Sequence, residues 1–448
     1  MVVKRVCIIG AGVSGLTSIK CCLDEGLEPT CYEQSEDIGG LWRYKEEAAE
    51  GQASVYRSLV INTSKEMMCF SDFPIPRNFP NYMSHSMILQ YFQLFVERFN
   101  LMKHILFKRK VTAVTKRVDF AISGQWNVTV VDENGKEEST VFDAVMVCIG
   151  HHVNKHLPLD SFPGIDRFMG RYIHSREYKE PWEYKDKRVL VIGIGNSGGD
   201  IAVEVSRHAA QVYLSTRRGA WVLNRVSHNG YPIDIVISRR YLSLIPKPLL
   251  NFLGERQLNS RFNHSNYGLQ PSHRFRSQHP TINDDLPNRI ITGSVIVKTN
   301  VAEFSETGLA KLPDCTTMKN DTAEKREAMA KRYMHSQRHT IQVDYITYMD
   351  EIGELIGVKP HFLPLFLQDP GLALSVFLGP CTPFQFRLQG PGQWEGAAQA
   401  IRTQWDRVLA PTRTRVATLP SQVSGLPSKL FSLLALIVAV ALVLWVTI

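Results

Sequence analysis

The stretch VCIIGAGVSGLTSIKCCLDEGLEPTCYE, residues 6–33, decides how the chain is read. A short β-branched run over 2–9 leads into the glycine loop GAGVSG at 10–15, and a helix-like segment, LTSIKCCLDEG, follows. A second short strand, PTCYE, ends at Glu33. Strand, glycine turn, helix, strand and acid in that order predict a βαβ unit that binds a dinucleotide. Gly10 permits the tight turn, Gly12 lets backbone approach a pyrophosphate, and Gly15 lets helix pack on strand. Ala11, Val13 and Ser14 complete the loop, where unpaired N–H groups and the helix dipole favour negative charge. Glu33 stands about twenty residues beyond the loop, placed to accept from ribose hydroxyls.

Working outward, Gly39 is followed by Gly40, Leu41 and Trp42, so the sequence continues E-x5-GG-LW. A glycine pair there suits backbone running close to a large flat cofactor, and predicts FAD rather than NAD. A second unit begins at 187–192, KRVLVI, with the loop GIGNSG at 193–198. Gly193, Gly195, Asn196, Ser197 and Gly198 are its candidate phosphate-binding residues. The strand QVYLST ends at Thr216, Arg217 and Arg218, where the first unit has an acid. Loss of the acid removes repulsion of a 2′-phosphate, and an arginine can pair with one. The second site is therefore expected to take NADP(H), with Arg217, nearer the strand end, as the first choice.

Bulk properties narrow the class. The chain has 448 residues, 44% hydrophobic and 21% charged, which excludes a disordered protein and allows two or three domains. A net charge of +8 without a dense Lys/Arg block interleaved with aromatics excludes a nucleic-acid binder. The eight cysteines form no CxxC, and Cys21 and Cys22 lie on the first helix with side chains facing apart. That weighs against a disulfide reductase, predicts reduced thiols and leaves a hydride-transfer flavoprotein as the leading class. His151 and His152 read as loop residues, because no Cys/His/acid cluster has metal-ligand spacing. The uncharged run LFSLLALIVAVALVLWVTI, 430–448, follows the linker LPSQVSGLPSK. Its 19 residues nearly span a hydrocarbon core at about 1.5 Å per residue, which predicts a C-terminal transmembrane anchor.

Between the two loops stands FMGRYIHSREY, 168–178, which matches the pattern FxGxxxHxxxY through Phe168, Gly170, His174 and Tyr178. With both glycine loops and the E-x5-GG-x-W element, it makes the chain resemble the flavin-containing monooxygenases. The vertebrate microsomal, dimethylaniline (N-oxide-forming) type is the nearest in kind. NTSKEMMCFSDFP (62–74), LNRVSHNGYP (223–232), NDDLPNRIITG (283–293) and FLGPCTPFQFRLQGPGQWEGA (377–397) also match. The resemblance implies an α/β fold with two Rossmann-like domains, for FAD and NADP, plus the transmembrane helix. FAD-binding residues 1–155 would be followed by an NADP domain over 156–305, with an inserted segment near 221–280. Residues 306–427 would return to the FAD domain.

The same resemblance implies that NADPH reduces the flavin, which takes O2 to form a C4a-hydroperoxide. One oxygen then passes to a soft nitrogen or sulfur of a lipophilic foreign compound, and the cofactor carries the hard chemistry. By its match to the NTS-K motif, Asn62 is expected to hydrogen-bond near the flavin, with Thr63 contacting the flavin beside it. His174 and Tyr178 are expected to position the second unit rather than to react. The implied setting is the endoplasmic reticulum membrane with the body facing the cytosol. Homo-oligomerisation is left open, as is ketone oxidation of Baeyer–Villiger type, although Tyr178 stands where that family usually has Trp.

One departure stands out. Residues 309–331, LAKLPDCTTMKNDTAEKREAMAK, replace a further strand ending in A-T-G-Y, and that motif is absent throughout. The expectation is an internal deletion around 306–330 that opens an edge of the NADP-domain sheet. It is expected to compromise coupled oxygenation and could yield a truncated form with little or no activity.

Overall fold

In the computed structural model, which describes residues 4–47, 51–305, 310–311 and 345–413, the opening stretch folds as a parallel βαβ unit. β1 (Arg5–Ile9) pairs in register with β2 (Glu28–Tyr32), from Arg5 opposite Glu28 to Ile9 opposite Tyr32. Helix Val13–Asp24 makes the crossover. β3 (Ile105–Leu106) extends the sheet beyond β2. An antiparallel meander of β4 (Arg109–Lys116), β5 (Trp126–Asp132) and β6 (Glu137–Phe142) then intervenes. β7 (Ala144–Val147) returns to pair in parallel with the other edge of β1, giving the order β3-β2-β1-β7.

Burial explains the composition of β1. Val6, Cys7 and Ile8 are almost inaccessible, as expected for a parallel strand covered on both faces. On one side Cys7 and Tyr32 pack against Val128, Val130 and Phe142 of the meander. On the other, Val6 and Ile8 join Leu16 and Ile19 of the crossover helix, and Tyr91, Phe92 and Phe95 of helix His85–Arg98. Leu372, Val376, Phe384 and Ile401 belong to this same core, so the C-terminal stretch packs back onto the first unit.

β8 (Arg188–Ile192), helix Asn196–Val205 and β9 (Gln211–Ser215) repeat the βαβ arrangement. A short parallel pair, β10 (Val222–Leu223) with β11 (Thr281–Ile282), follows. β12 (Val295–Lys298) then pairs with β9, and the order is β12-β9-β8. β8 is therefore paired along one edge only among the described residues, whereas its counterpart β1 is paired along both. Ile192 is 45% exposed, whereas Ile9, at the matching position of β1, is half-buried. Residues 312–344, where most of the 309–331 stretch falls, and the hydrophobic run 430–448 lie outside the described residues. Among the described residues no helix is long and apolar enough to cross a membrane.

Candidate cofactor and active site

The first loop leaves β1 through Gly10, whose φ of +102° favours glycine. A Cβ at Gly10 would stand 2.8 Å from the Cys148 carbonyl oxygen, and one at Gly15 only 1.8 Å from the Gly10 carbonyl oxygen. Gly12 caps helix Val13–Asp24 without a side-chain cap, so the first N–H groups of the helix stay available to an anion. Ala11 and Gly15 are buried, Val13 is half-buried and Ser14 is exposed.

Glu33 lies at the end of β2 and is 9% exposed. Its Oε2 accepts from the Ala11 N–H at 2.7 Å and its Oε1 from the Ser35 N–H at 2.8 Å. A carboxylate offers about four acceptor sites, so two remain for ribose hydroxyls. The glycine pair folds back on the loop: the Gly39 N–H donates to the Ala11 carbonyl, and a Cβ at Gly40 would stand 3.2 Å from Gly12 Cα. Leu41 and Trp42 follow in the turn Gly40–Trp42, half-buried beside it. Close backbone, free N–H groups and a held acid together fit a dinucleotide.

The second loop reproduces this geometry. Gly193 has φ +102°, and a Cβ at Gly198 would stand 2.0 Å from the Gly193 carbonyl oxygen. Gly195 caps helix Asn196–Val205, Ser197 is exposed, and Asn196 Oδ1 accepts from the Ile282 N–H at 2.8 Å. Arg217 lies two residues past β9, exposed and without a hydrogen-bond or ion-pair partner among the described residues. The fit to a phosphorylated ribose is thus one free guanidinium beside the strand end.

Asn62 and Thr63 precede the short helix Lys65–Met68. Asn62 is half-buried and Thr63 exposed. The Ser64 N–H donates to Asp234 Oδ2 at 2.6 Å, and burial holds that carboxyl above its ordinary range. Lys65 is fully buried and donates to the carbonyls of Arg77 and Phe79; burial lowers its ammonium to about 8. Glu66, also fully buried, meets Arg407 Nε at 3.1 Å, which ties the segment to the C-terminal helix Ala397–Leu409.

No described hydrogen bond joins Asn62 to the first glycine loop. Its side chain is held instead from the second unit, where Arg225 Nη2 donates to Asn62 Oδ1 at 2.7 Å. The same guanidinium reaches Asp284 Oδ2 at 2.8 Å and the Ile61 carbonyl at 3.2 Å. A second bridge runs from the Tyr56 hydroxyl to Asp200 Oδ2 at 2.6 Å, and Asp200 Oδ1 accepts from Asn283 Nδ2 at 2.8 Å. Burial raises the Asp200 carboxyl. Tyr56, Asp200, Arg225 and Asp284 were not singled out from sequence. Three of them stand inside quoted motifs or beside the second loop, but nothing local marks which residue each would meet.

His174 Nδ1 accepts from the Arg176 N–H at 3.1 Å, and Tyr178 is buried with its hydroxyl on Glu204 Oε2 at 2.9 Å. His151 and His152 have ring centroids 4.1 Å apart, and no cluster among the described residues groups three metal-ligating side chains.

The model of the family described as flavin-binding monooxygenase-like matches residues 3–310 and again 307–445. The break between the two matches falls where a family strand was read as absent. The second match begins at 307, so the whole stretch 309–331, expected from its motifs to be unlike the family, is matched after all. "Flavin-containing monooxygenase 5" of Mus musculus is 50% identical over 504 aligned residues, covering 93% of this chain and 94% of the relative. Those 504 positions exceed the 448 residues present here, so the relative carries residues without a counterpart in this chain. "Dimethylaniline monooxygenase (N-oxide-forming) 2" of Mus musculus is 44% identical, covering 98% of each chain. Among solved structures, the polycyclic ketone monooxygenase of Thermothelomyces thermophila superposes with a TM-score of 0.52 at 16% identity, over 70% of this chain and 61% of that one. That likeness concerns the fold alone. The family match and the two mouse relatives settle the assignment: the chain belongs to the flavin-binding monooxygenase-like family and is, by that membership, an FAD-containing, NADPH-dependent monooxygenase.

Proposed function

We propose that the chain uses O2 and NADPH to oxygenate soft nitrogen or sulfur atoms of small lipophilic compounds. The observation that carries the reading is the Arg225 bridge, which joins the Asn62 amide to Asp284 of the second unit. Bound FAD, reduced by NADPH, would supply the activation of oxygen. The loop at 10–15 would hold the FAD pyrophosphate, with Glu33 accepting from the ribose and Gly40, Leu41 and Trp42 flanking the cofactor. Asn62 would donate from its amide nitrogen near the flavin, with Thr63 beside it. Gly193, Gly195, Asn196, Ser197 and Gly198 would hold the NADP pyrophosphate, and Arg217 the 2′-phosphate.

The mouse relative named for N-oxide formation supports a nitrogen substrate. We place the FAD domain at 1–155 together with 306–427 and the NADP domain at 156–305. The run 430–448 would anchor the chain in the endoplasmic reticulum membrane, leaving the body in the cytosol. The test is direct: purified full-length chain should show a flavin spectrum, consume NADPH, and convert a tertiary amine or thioether rather than an aliphatic ketone. Purified chain without flavin would refute the oxygenase reading, and ketone oxygenation in preference would refute the substrate class. Among the described residues β8 is paired along one edge only, which favours a second reading, that hydride delivery from the NADP site is slowed relative to longer family members.

A further inference from the structure

We propose that Arg225 is a positioning residue that sets which atom of the Asn62 amide faces the reaction. The inference rests on the reading of Asn62 given above. A guanidinium has five N–H donors and no acceptor. The atom that meets Arg225 Nη2 at 2.7 Å must therefore be Oδ1, which fixes the amide's flip state by chemistry. The amide nitrogen is left without a partner among the described residues, free to donate. Reversing the flip would present an acceptor in its place.

Arg225 is itself over-determined. Its side chain is 14% exposed, with Nη1 on Asp284 Oδ2, Nε on the Ile61 carbonyl and Nη2 also within 3.4 Å of the Val60 carbonyl. Its own N–H donates to Asp284 Oδ1 at 2.9 Å, and its carbonyl accepts from the Tyr82 hydroxyl at 2.8 Å. Asp284 in turn follows Ile282 and Asn283, which contact Asn196 and Asp200 of the helix after the second glycine loop. The donor face of Asn62 is thus referenced to the second nucleotide unit, 163 residues away in sequence. Lysine, a point charge without the fork, cannot reach all these acceptors at once.

The test uses the full-length chain in detergent with FAD bound. In protein labelled with 15N-asparagine, the Asn62 side-chain amide, assigned by its loss in Asn62→Ser, should give one proton pair. Arg225→Gln should double or broaden that pair. It should also lower product formed per NADPH consumed by roughly tenfold while FAD content and the KM for NADPH stay within about twofold. In the Asn62→Ser background, Arg225→Gln should change that ratio by less than about twofold, because it acts only through the amide. If Arg225→Gln does not fold, Arg225→Lys replaces it in every arm. An unchanged Asn62 amide spectrum, or an equal loss in both backgrounds, overturns the proposal. A wild-type chain that binds FAD but oxygenates neither amine nor thioether refutes the oxygenase reading instead, and the amide spectrum alone then decides the role of Arg225.

Discussion

Replacing Tyr178 with Phe removes one hydroxyl and leaves the ring, so it separates positioning from chemistry. The ring is 2% exposed and packs between Tyr56 and Tyr184, each with its centroid 5.9 Å away. Burial, and then Glu204, hold the hydroxyl well above its ordinary range, so it stays protonated. It donates to Glu204 Oε2 at 2.9 Å, the oxygen that also accepts from Ser58 Oγ at 2.7 Å. A hydrogen bond to a charged group contributes about 1.5–3 kcal/mol, and because Ser58 remains, the loss should lie near the lower end. For a unit of this size that lowers the unfolding midpoint by roughly 3–6 °C. Tyr178→Ala should cost about 3–5 kcal/mol through the cavity it leaves. Ser58→Ala and Tyr178→Phe together should be non-additive, since both donors meet one oxygen. Glu204 lies near the end of helix Asn196–Val205, whose start carries the second glycine loop. The functional signature is therefore a raised KM for NADPH with kcat nearly kept, read by steady-state kinetics beside scanning calorimetry of the FAD-loaded chain. A Tyr178→Phe protein with unchanged midpoint and KM but a tenfold lower kcat would refute the positional role.

Gly15→Ala and Gly198→Ala place a Cβ 1.8 Å and 2.0 Å from the Gly10 and Gly193 carbonyl oxygens, and should fail differently. The first should deplete bound FAD on purification, and the second should keep FAD and raise the KM for NADPH; equal flavin loss in both would contradict the assignment of the two loops. Arg217→Glu should raise the KM for NADPH by about tenfold or more and leave NADH use unaffected, measured with both nucleotides side by side. Lys65 has a folded value near 8 against 10.5 unfolded, with burial as its largest cause. The unfolded chain binds more protons between those values, so stability should rise from pH 8 to 10.5, and Lys65→Met should flatten the rise in a pH series of unfolding midpoints.

What was legible in sequence was local. Both glycine turns need φ near +102°, and both loops announce that need through residues within six positions of each other. Glu33 was read as an acid for a ribose; its carboxylate is also a brace for the loop, through the Ala11 and Ser35 N–H groups. Long-range partners were not legible. Asn62 was singled out, yet the residue that orients it is 163 positions away, inside a motif that shows an arginine without showing its target. Tyr56 and Asp200 meet across 144 positions in the same way. Periodicity reports which face is buried, whereas pairing between polar groups depends on how two units dock, and no spacing rule encodes that.

The two loops share a motif and a backbone geometry, yet the described strands beside them differ. In the first unit β7 lies along β1, and the Cys148 carbonyl closes in on Gly10 to 2.8 Å of a would-be Cβ. In the second unit no described strand lies along the matching edge of β8, and a Cβ at Gly193 meets nothing within 4 Å. The difference coincides with the break in the family match between 307 and 310. The C-terminal stretch supplies Leu372, Val376, Phe384 and Ile401 to the core of the first unit. Apolar residues are exposed at both sheets, Ile192 in the second unit and Val147 in the first. Among the described residues, the contacts that hold the NADP loop are made from the other side. Those contacts are Thr281 on the Ile194 carbonyl, Ile282 on Asn196, Asn283 and Tyr56 on Asp200, and Tyr178 on Glu204. The motif FxGxxxHxxxY earns its place in this chain by supplying the last of them.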